Sequence, residues 1–347
     1  MRAVVFNEFK TFPVLMEVPT PTPGPGEVLL KVAGAGACHS DVSVYRLFDA
    51  DSPVVLPPPF ILGHETSGWI EDVGEGVSGF TKGDAYLVYG PTGCGHCRLC
   101  VQGKENYCLN AATNPSTAIG LGRDGGMAEY MVVPARNLVP LGDADPIAAA
   151  SLADAALTPY HAIKSALPKL TGPGKFALVV GLGGLGQLGV QIIQALTGAT
   201  VIATDMKEDA LALAKKRGAI TVPAGEGAAE AIRELTGGAG VDAAFDFVGA
   251  TPTMELARGS VAVGGTCVIV GIGGGNIEWN FFNTSYEAPI YTTYWGSIDE
   301  LHEVATLYRD GKITTDVERF TMDEALTAYE RLEAGTLLGR AVVVPHA

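Results

Sequence analysis

Phe176-Ala-Leu-Val-Val180 runs straight into Gly181-Leu-Gly-Gly-Leu-Gly186. Five apolar residues in a row, closed by glycines, read as a strand buried on both faces. Beyond the glycines, Leu185, Leu188, Ile192, Ile193 and Leu196 recur at helical spacing and fall on one face. Val201–Thr204 is a second apolar run, ending in Asp205, and Glu208–Arg217 reads as a helix. Ala243–Val248 and Thr266–Val270 add two more strands. Strands alternating with helices build a parallel, doubly wound sheet, so this part of the chain is α/β and Rossmann-like.

In that setting the glycines acquire separate duties. Gly181 permits the tight turn, Gly183 (with Gly184 and Leu185 at the helix entrance) lets a pyrophosphate approach, and Gly186 lets helix pack on strand. The N-terminus of the helix then faces the phosphates. Asp205 closes the next strand, where a carboxylate accepts hydrogen bonds from ribose hydroxyls and repels an extra phosphate. The expected cofactor is therefore NAD(H) rather than NADP, with Lys207 a mild opposing charge. Val248, Val270 and Ile272 sit at or just beyond strand ends, where a dinucleotide lies in such sheets.

Working outward, the first third is β-like: Ala3–Phe6, Val28–Ala33, Gly68–Val73, Ala85–Val88 and Tyr130–Pro134 are short strands. Pro19-Thr-Pro-Thr-Pro-Gly-Pro-Gly26 fits no regular element. Short strands with glycine-rich turns suggest a partly open barrel. The tail ends in a strand-like Arg340–Val344. The expected division is 1–153 with 292–347 as a catalytic domain and 154–291 as an inserted NAD-binding domain.

A chain of 347 residues with 47% hydrophobic and 18% charged residues can bury two cores. A formal net charge of −15 argues against nucleic acid and anionic membrane surfaces as partners. Residues 1–10 carry no apolar core of signal-peptide length, so the expectation is a soluble, cytoplasmic protein.

Cys94-Gly-His-Cys97-Arg-Leu-Cys100 followed by Cys108 is the most specific local pattern. Two-residue gaps let a loop wrap one ion, and four thiolates complete the tetrahedron zinc prefers. Such a site is structural, and His96 is surplus to it. Cys38-His39-Ser40-Asp41 and Gly63-His64-Glu65 are weaker alone. Together they supply a thiolate, an imidazole and a carboxylate, while a catalytic zinc needs three protein ligands and one open position.

These motifs, with Gly74-Glu-Gly-Val77, Gly181–Gly186 and Asp205, resemble the zinc-containing medium-chain alcohol dehydrogenases over essentially the whole chain, and especially actinobacterial NAD-dependent secondary alcohol dehydrogenases. The resemblance implies a GroES-like catalytic domain and two zinc ions per chain. It implies reversible hydride transfer between secondary (and some primary) alcohols and NAD. It makes Asp154 the third ligand of the catalytic zinc beside Cys38 and His64, with Glu65 a second-sphere or transient ligand. The bound alcohol then ionises to an alkoxide near neutral pH. Ser40 takes its proton, which leaves through the cofactor ribose to His39 or solvent. Arg340 resembles an arginine that contacts the pyrophosphate; Tyr294 and Trp295 resemble residues that line the substrate pocket with Ser40 and Ser43. Similar enzymes are homodimers or homotetramers, with the stretch from Cys267 to Tyr294 a plausible contact. Two other readings use fewer of these residues. A zinc-free quinone or enoyl reductase leaves Cys38, His64 and the cysteine lobe idle, and a non-enzymatic nucleotide or redox sensor leaves Ser40 idle.

Overall fold

The protein is described by a computed structural model covering residues 1–52, 57–113 and 118–347. It divides into two compact units, Met1–Leu157 with Gly296–Arg309 and Thr315–Ala347, and Thr158–Trp295 with Asp310–Thr314.

In the first unit, Glu27–Gly36 is the central strand of a seven-stranded sheet. Val28, Leu30 and Val32 point into the core at the two-residue period of a half-buried strand. Phe6, Ile70, Val133 and Val343 meet them there. Register shifts at Leu29/Leu30 and Val32/Gly34 against Glu65–Val73 break the ladder, and such bulges bend a strand and let a sheet curl. The sheet runs Val317–Thr321, Arg340–Val344, Glu27–Gly36, Glu65–Val73, Ala85–Val88, Leu138–Pro140, with Tyr130–Pro134 also paired to Glu27–Gly36. The C-terminal strand thus returns to the middle of the first unit, with Val342 and Val343 opposite Gly36 and Ala35. Two short helical pieces, Pro146–Ala149 and Ala150–Ala153, deliver Asp154 to this unit.

The second unit holds a six-stranded sheet, parallel throughout: Ile220–Pro223, Thr200–Asp205, Phe176–Val180, Val241–Asp246, Val261–Ile269, Ile290–Thr292. In order of appearance that is 3-2-1-4-5-6, the dinucleotide-binding winding. The direction of winding reverses between Phe176–Val180 and Val241–Asp246, so their carboxyl ends border the natural crevice. The glycine-rich turn leads into helix Gly184–Leu196, whose Leu188, Ile192 and Ile193 are buried.

Two strand ends differ from the sequence reading. The fourth strand stops at Asp246 rather than Val248, because the Asp246 carboxylate accepts the backbone N–H groups of Val248 (2.8 Å) and Gly249 (3.1 Å) and turns the chain. The fifth stops at Ile269, one residue short of Val270. A helix at His39–Arg46 was not legible, since eight residues are too short for a period. Among the described residues no helix is long and apolar enough to cross a membrane.

Candidate functional site

Two groups of side chains in the first unit have the composition of metal sites. The sulfurs of Cys94, Cys97, Cys100 and Cys108 all lie within 4.8 Å of one another. The Cys97 and Cys100 sulfurs are 3.4 Å apart, and all six cysteines of the chain are free thiols. Backbone N–H groups point at the sulfurs: Cys97 N to Cys94 Sγ at 3.3 Å, Cys94 N to Cys108 Sγ at 3.3 Å, and Cys100 N to Cys97 Sγ at 3.5 Å. Asn110 adds its amide to Cys94 Sγ at 3.2 Å. Donors aimed at sulfur favour thiolate, the form a metal binds. The backbone N–H of His96 leads in pulling the Cys94 thiol down to about 6, whereas burial pushes Cys100 up to about 12. The loop thus fits a zinc ion on four thiolates. His96 is exposed and its Nδ1 lies 2.8 Å from the Cys94 carbonyl oxygen, outside the sulfur set.

The second group is assembled from distant segments. Cys38 precedes helix His39–Arg46, and Asp41 in its first turn accepts the Cys38 N–H at 3.1 Å. Gly63 takes φ 97°, which a side chain rarely adopts, and a Cβ there would meet the Met127 backbone at 2.7 Å. That turn places His64 and Glu65 at the head of strand Glu65–Val73. Asp154 follows the short helical turn Ala150–Ala153 and so caps no helix N-terminus; the next helix begins at Leu157. The ligand-type atoms of Cys38, His64, Glu65 and Asp154 fall within 4.8 Å of one another, and all four residues are buried. Asp154 Oδ2 is 3.8 Å from Cys38 Sγ and 3.5 Å from His64 Nε2.

The surroundings sort out which atoms are available. His64 Nδ1 lies 3.0 Å from Asp41 Oδ1, so the proton on Nδ1 is held by a carboxylate, and Nε2, which binds a metal once its own proton is displaced, faces Cys38 and Asp154. Burial opposes the charged form of His64, yet the Asp41 carboxylate carries its pKa well above the ordinary imidazole value. Burial works against the Cys38 thiolate, but the Arg340 guanidinium and His64 outweigh it and the thiol pKa is lowered. A soft thiolate, an imidazole and a carboxylate converging in a dry site suit zinc, with fewer protein ligands than a closed structural site uses. Glu65 is committed elsewhere: Arg340 Nε reaches its Oε2 at 3.2 Å and Nη2 bonds its Oε1, with both side chains buried. Gly36 makes room for that pair, because a Cβ there would lie 2.2 Å from Glu65 Oε2. Ser40 Oγ is 3.7 Å from Cys38 Sγ, His39 is exposed, and Ser43 donates to the His39 carbonyl at 3.1 Å.

In the second unit, Gly181 has φ 85° and a Cβ on Gly186 would strike the Gly181 carbonyl oxygen at 1.8 Å, whereas the space around Gly183 is open. Gly183 caps helix Gly184–Leu196. Asp205 Oδ2 accepts the Leu182 N–H at 2.6 Å and Oδ1 the Lys207 N–H at 2.9 Å, which turns the carboxylate toward the glycine loop. Val248 and Ile272 are exposed just beyond the strand ends at Asp246 and Ile269, and Val270, directly after the latter strand, is buried. Tyr294 is half exposed; Trp295 is buried with a left-handed φ of 54°. Ser40 and Ser43 thus belong to the first unit, Tyr294 and Trp295 to the second.

Sequence reasoning gave no role to Asp41, although it stands three residues after Cys38, the N3 position of a helix, where a carboxylate reaches back to the cap. The pairing of Glu65 with Arg340 and the approach of Tyr329 to Asp41 had no local signal, because their partners are 275 and 288 residues away.

Residues 24–143 match the model of the alcohol dehydrogenase GroES-like domain, and residues 184–310 that of the zinc-binding dehydrogenase. The chain is 32% identical to an NAD-dependent alcohol dehydrogenase of Sulfurisphaera tokodaii, covering 99% of this chain and 100% of the relative. It is 33% identical to an NADP-dependent D-arabinose 1-dehydrogenase of Saccharolobus solfataricus, covering 99% and 97%. Among solved structures, the alcohol dehydrogenase of Aeropyrum pernix superposes with a TM-score of 0.91 at 35% identity, over 99% of this chain and 100% of that one.

Proposed function

Because the chain belongs to the zinc-containing alcohol dehydrogenase family and is a zinc-dependent alcohol dehydrogenase, we propose that it exchanges hydride reversibly between secondary (and some primary) alcohols and NAD. The observation that carries the reading is the convergence of Cys38, His64 and Asp154, with His64 oriented from behind by Asp41.

Cys38, His64 and Asp154 would hold the catalytic zinc, and Cys94, Cys97, Cys100 and Cys108 a structural one. When bound, the catalytic ion supplies a Lewis acid that acidifies an alcohol or polarises a carbonyl, and the nicotinamide supplies the hydride acceptor or donor. The chain's own residues do the rest. Ser40, beside Cys38, would relay the substrate hydroxyl proton, releasing its own as it takes up the new one, and the exposed His39 or solvent would receive the proton so released. Ser43 keeps its hydroxyl on the His39 carbonyl and so offers a small, non-competing surface beside Ser40. Arg340 holds the Glu65 carboxylate, so Glu65 becomes a metal ligand only when that pair opens; the family resemblance alone is the ground for offering Arg340 to a pyrophosphate.

Gly181, Gly183, Gly184, Leu185 and Gly186 receive the pyrophosphate, Asp205 the adenosine ribose, and Val248, Val270 and Ile272 border the nicotinamide. The Asp205 carboxylate, fixed by two backbone N–H groups, is the reason for choosing NAD over NADP. Two copies or four would join through the region from Cys267 to Tyr294. Among the described residues, strand Ile290–Thr292 is an open sheet edge, and nearby Trp279, Phe281, Phe282 and Tyr286 are all exposed. Size-exclusion chromatography with light scattering tests this: a monomer at micromolar concentration would rule it out.

The test of the whole reading is a turnover screen with NAD and NADP across short, branched, aromatic and diol alcohols, with zinc counted in the same preparation. Two zincs and turnover with NAD on secondary alcohols are expected. Preference for NADP would overturn the Asp205 assignment, and turnover surviving complete loss of zinc would overturn the metal assignment.

A further inference from the structure

The Asp41 carboxylate is completely buried, has no lysine or arginine paired with it among the described residues, and is fixed by three donors from three parts of the chain. His64 Nδ1 lies 3.0 Å from Oδ1. The Cys38 N–H donates to Oδ2 at 3.1 Å, and the Tyr329 hydroxyl donates to the same oxygen at 3.1 Å. Tyr329 comes from helix Ala325–Glu333 near the C-terminus and is itself completely buried. Its ring packs edge-on against Tyr45, with centroids 6.1 Å apart, so packing and hydrogen bonding engage different parts of the side chain.

We propose that Tyr329 is a positioning residue for the catalytic metal site: its hydroxyl locks the second oxygen of Asp41 and thereby aims the His64 ring at the metal. The proposal rests on His64 being a ligand. A carboxylate whose second oxygen is held by the Cys38 N–H alone keeps more freedom to turn about its last side-chain bond, and the imidazole it orients turns with it. With Oδ2 pinned from two directions, the carboxylate plane is set, and so is the line from His64 Nε2 into the site. The donor is uncharged, so it steadies Asp41 without drawing its charge away from His64, as an arginine or lysine there would. The Tyr329 hydroxyl is bonded to Asp41 rather than to Cys38, His64 or Asp154, so it acts on the site through Asp41.

Tyr329→Phe deletes the hydroxyl and keeps the ring on Tyr45. Partners behind a metal ligand typically matter by 10–100-fold in metal affinity, and loss of one of three donors is expected at the lower end, about tenfold faster release of one zinc to a chelator. The zinc of the cysteine lobe should leave at its native rate in the same trace. With cobalt in the catalytic site, the visible absorption bands of Tyr329→Phe should shift. Asp41→Asn should release zinc at least as fast, and adding Tyr329→Phe to it should change nothing further, because a residue that acts through Asp41 has no effect once Asp41 is altered. A purely structural tyrosine gives the opposite pattern: a lower Tm with native zinc release and native cobalt bands, or an effect that adds in the double variant. Either result overturns the proposal. His64→Ala separates this from failure of the ligand assignment. If His64→Ala still binds two zincs, the assignment of His64 is wrong. If it binds one while Tyr329→Phe behaves as native, only the role of Tyr329 falls.

Discussion

The cysteine lobe draws all its sulfurs from residues 94–108, whereas the group proposed as catalytic joins Cys38 to Asp154 across 116 residues of chain. The lobe needs little beyond a loop: its own backbone N–H groups face the sulfurs, and Cys94 and Cys97 are partly exposed. The catalytic group needs the whole first unit. A strand with a left-handed glycine delivers His64, a helix start delivers Cys38 and Asp41, a short helical turn delivers Asp154, and the last strand brings Arg340 to hold Glu65 aside. A loop that supplies four equivalent ligands closes around its ion and contributes stability; a site of unlike ligands in a dry interior leaves coordination free for chemistry. On the proposed function, the difference is one between holding the fold and using it.

That contrast is open to test, and the largest effect belongs to the buried group. Cys38→Ser should cut turnover at least about a thousandfold, as expected when several kcal/mol of Lewis-acid stabilisation is removed. It should reduce zinc from two per chain to one, while NADH still binds by fluorescence titration; retained turnover would contradict the ligand assignment. Next in size is Cys100→Ala in the lobe. It should lower Tm by roughly 6–12 °C in a thermal melt, while turnover per remaining catalytic zinc stays within about twofold. Equal loss of turnover and stability would dissolve the distinction between the two sites.

A smaller effect is the response to pH. The raised pKa of His64 in the metal-free protein means that zinc must displace a proton there. Zinc affinity of the catalytic site should therefore fall as pH drops below that raised pKa, by up to about tenfold per unit. The metal-free protein shows the converse. Protonated His64 stabilises it fully below about 6.5, the unfolded value, and that contribution is lost as pH rises through the folded pKa. Chelator competition and melts of metal-free protein between pH 5 and 9 measure both. The smallest effect is His96→Ala, which should leave two zincs per chain and shift Tm by no more than about 1–2 °C, since four thiolates already complete the lobe.

The same contrast explains what the sequence disclosed. Four cysteines at short gaps carry their geometry with them, and so do Gly181–Gly186 with the strand before and the helix after. The winding of the second unit followed from alternation of strand and helix, including Asp205 at a strand end. Asp154 was different: nothing in Leu152-Ala-Asp-Ala marks a ligand, and only resemblance singled it out before the structure set its carboxylate 3.5 Å from His64 Nε2. Asp41 behind His64, Tyr329 behind Asp41 and Arg340 on Glu65 are contacts between segments remote in sequence, which no local period or spacing encodes.

Zinc stoichiometry followed against turnover during graded chelation tests the central assignment most directly. The native chain should begin with two zincs, and turnover should fall in proportion to loss of the first while Tm holds until the second leaves. Turnover that persists after the first zinc is gone, or that falls only together with Tm, would contradict the division of labour between Cys38, His64 and Asp154 and the four-cysteine lobe.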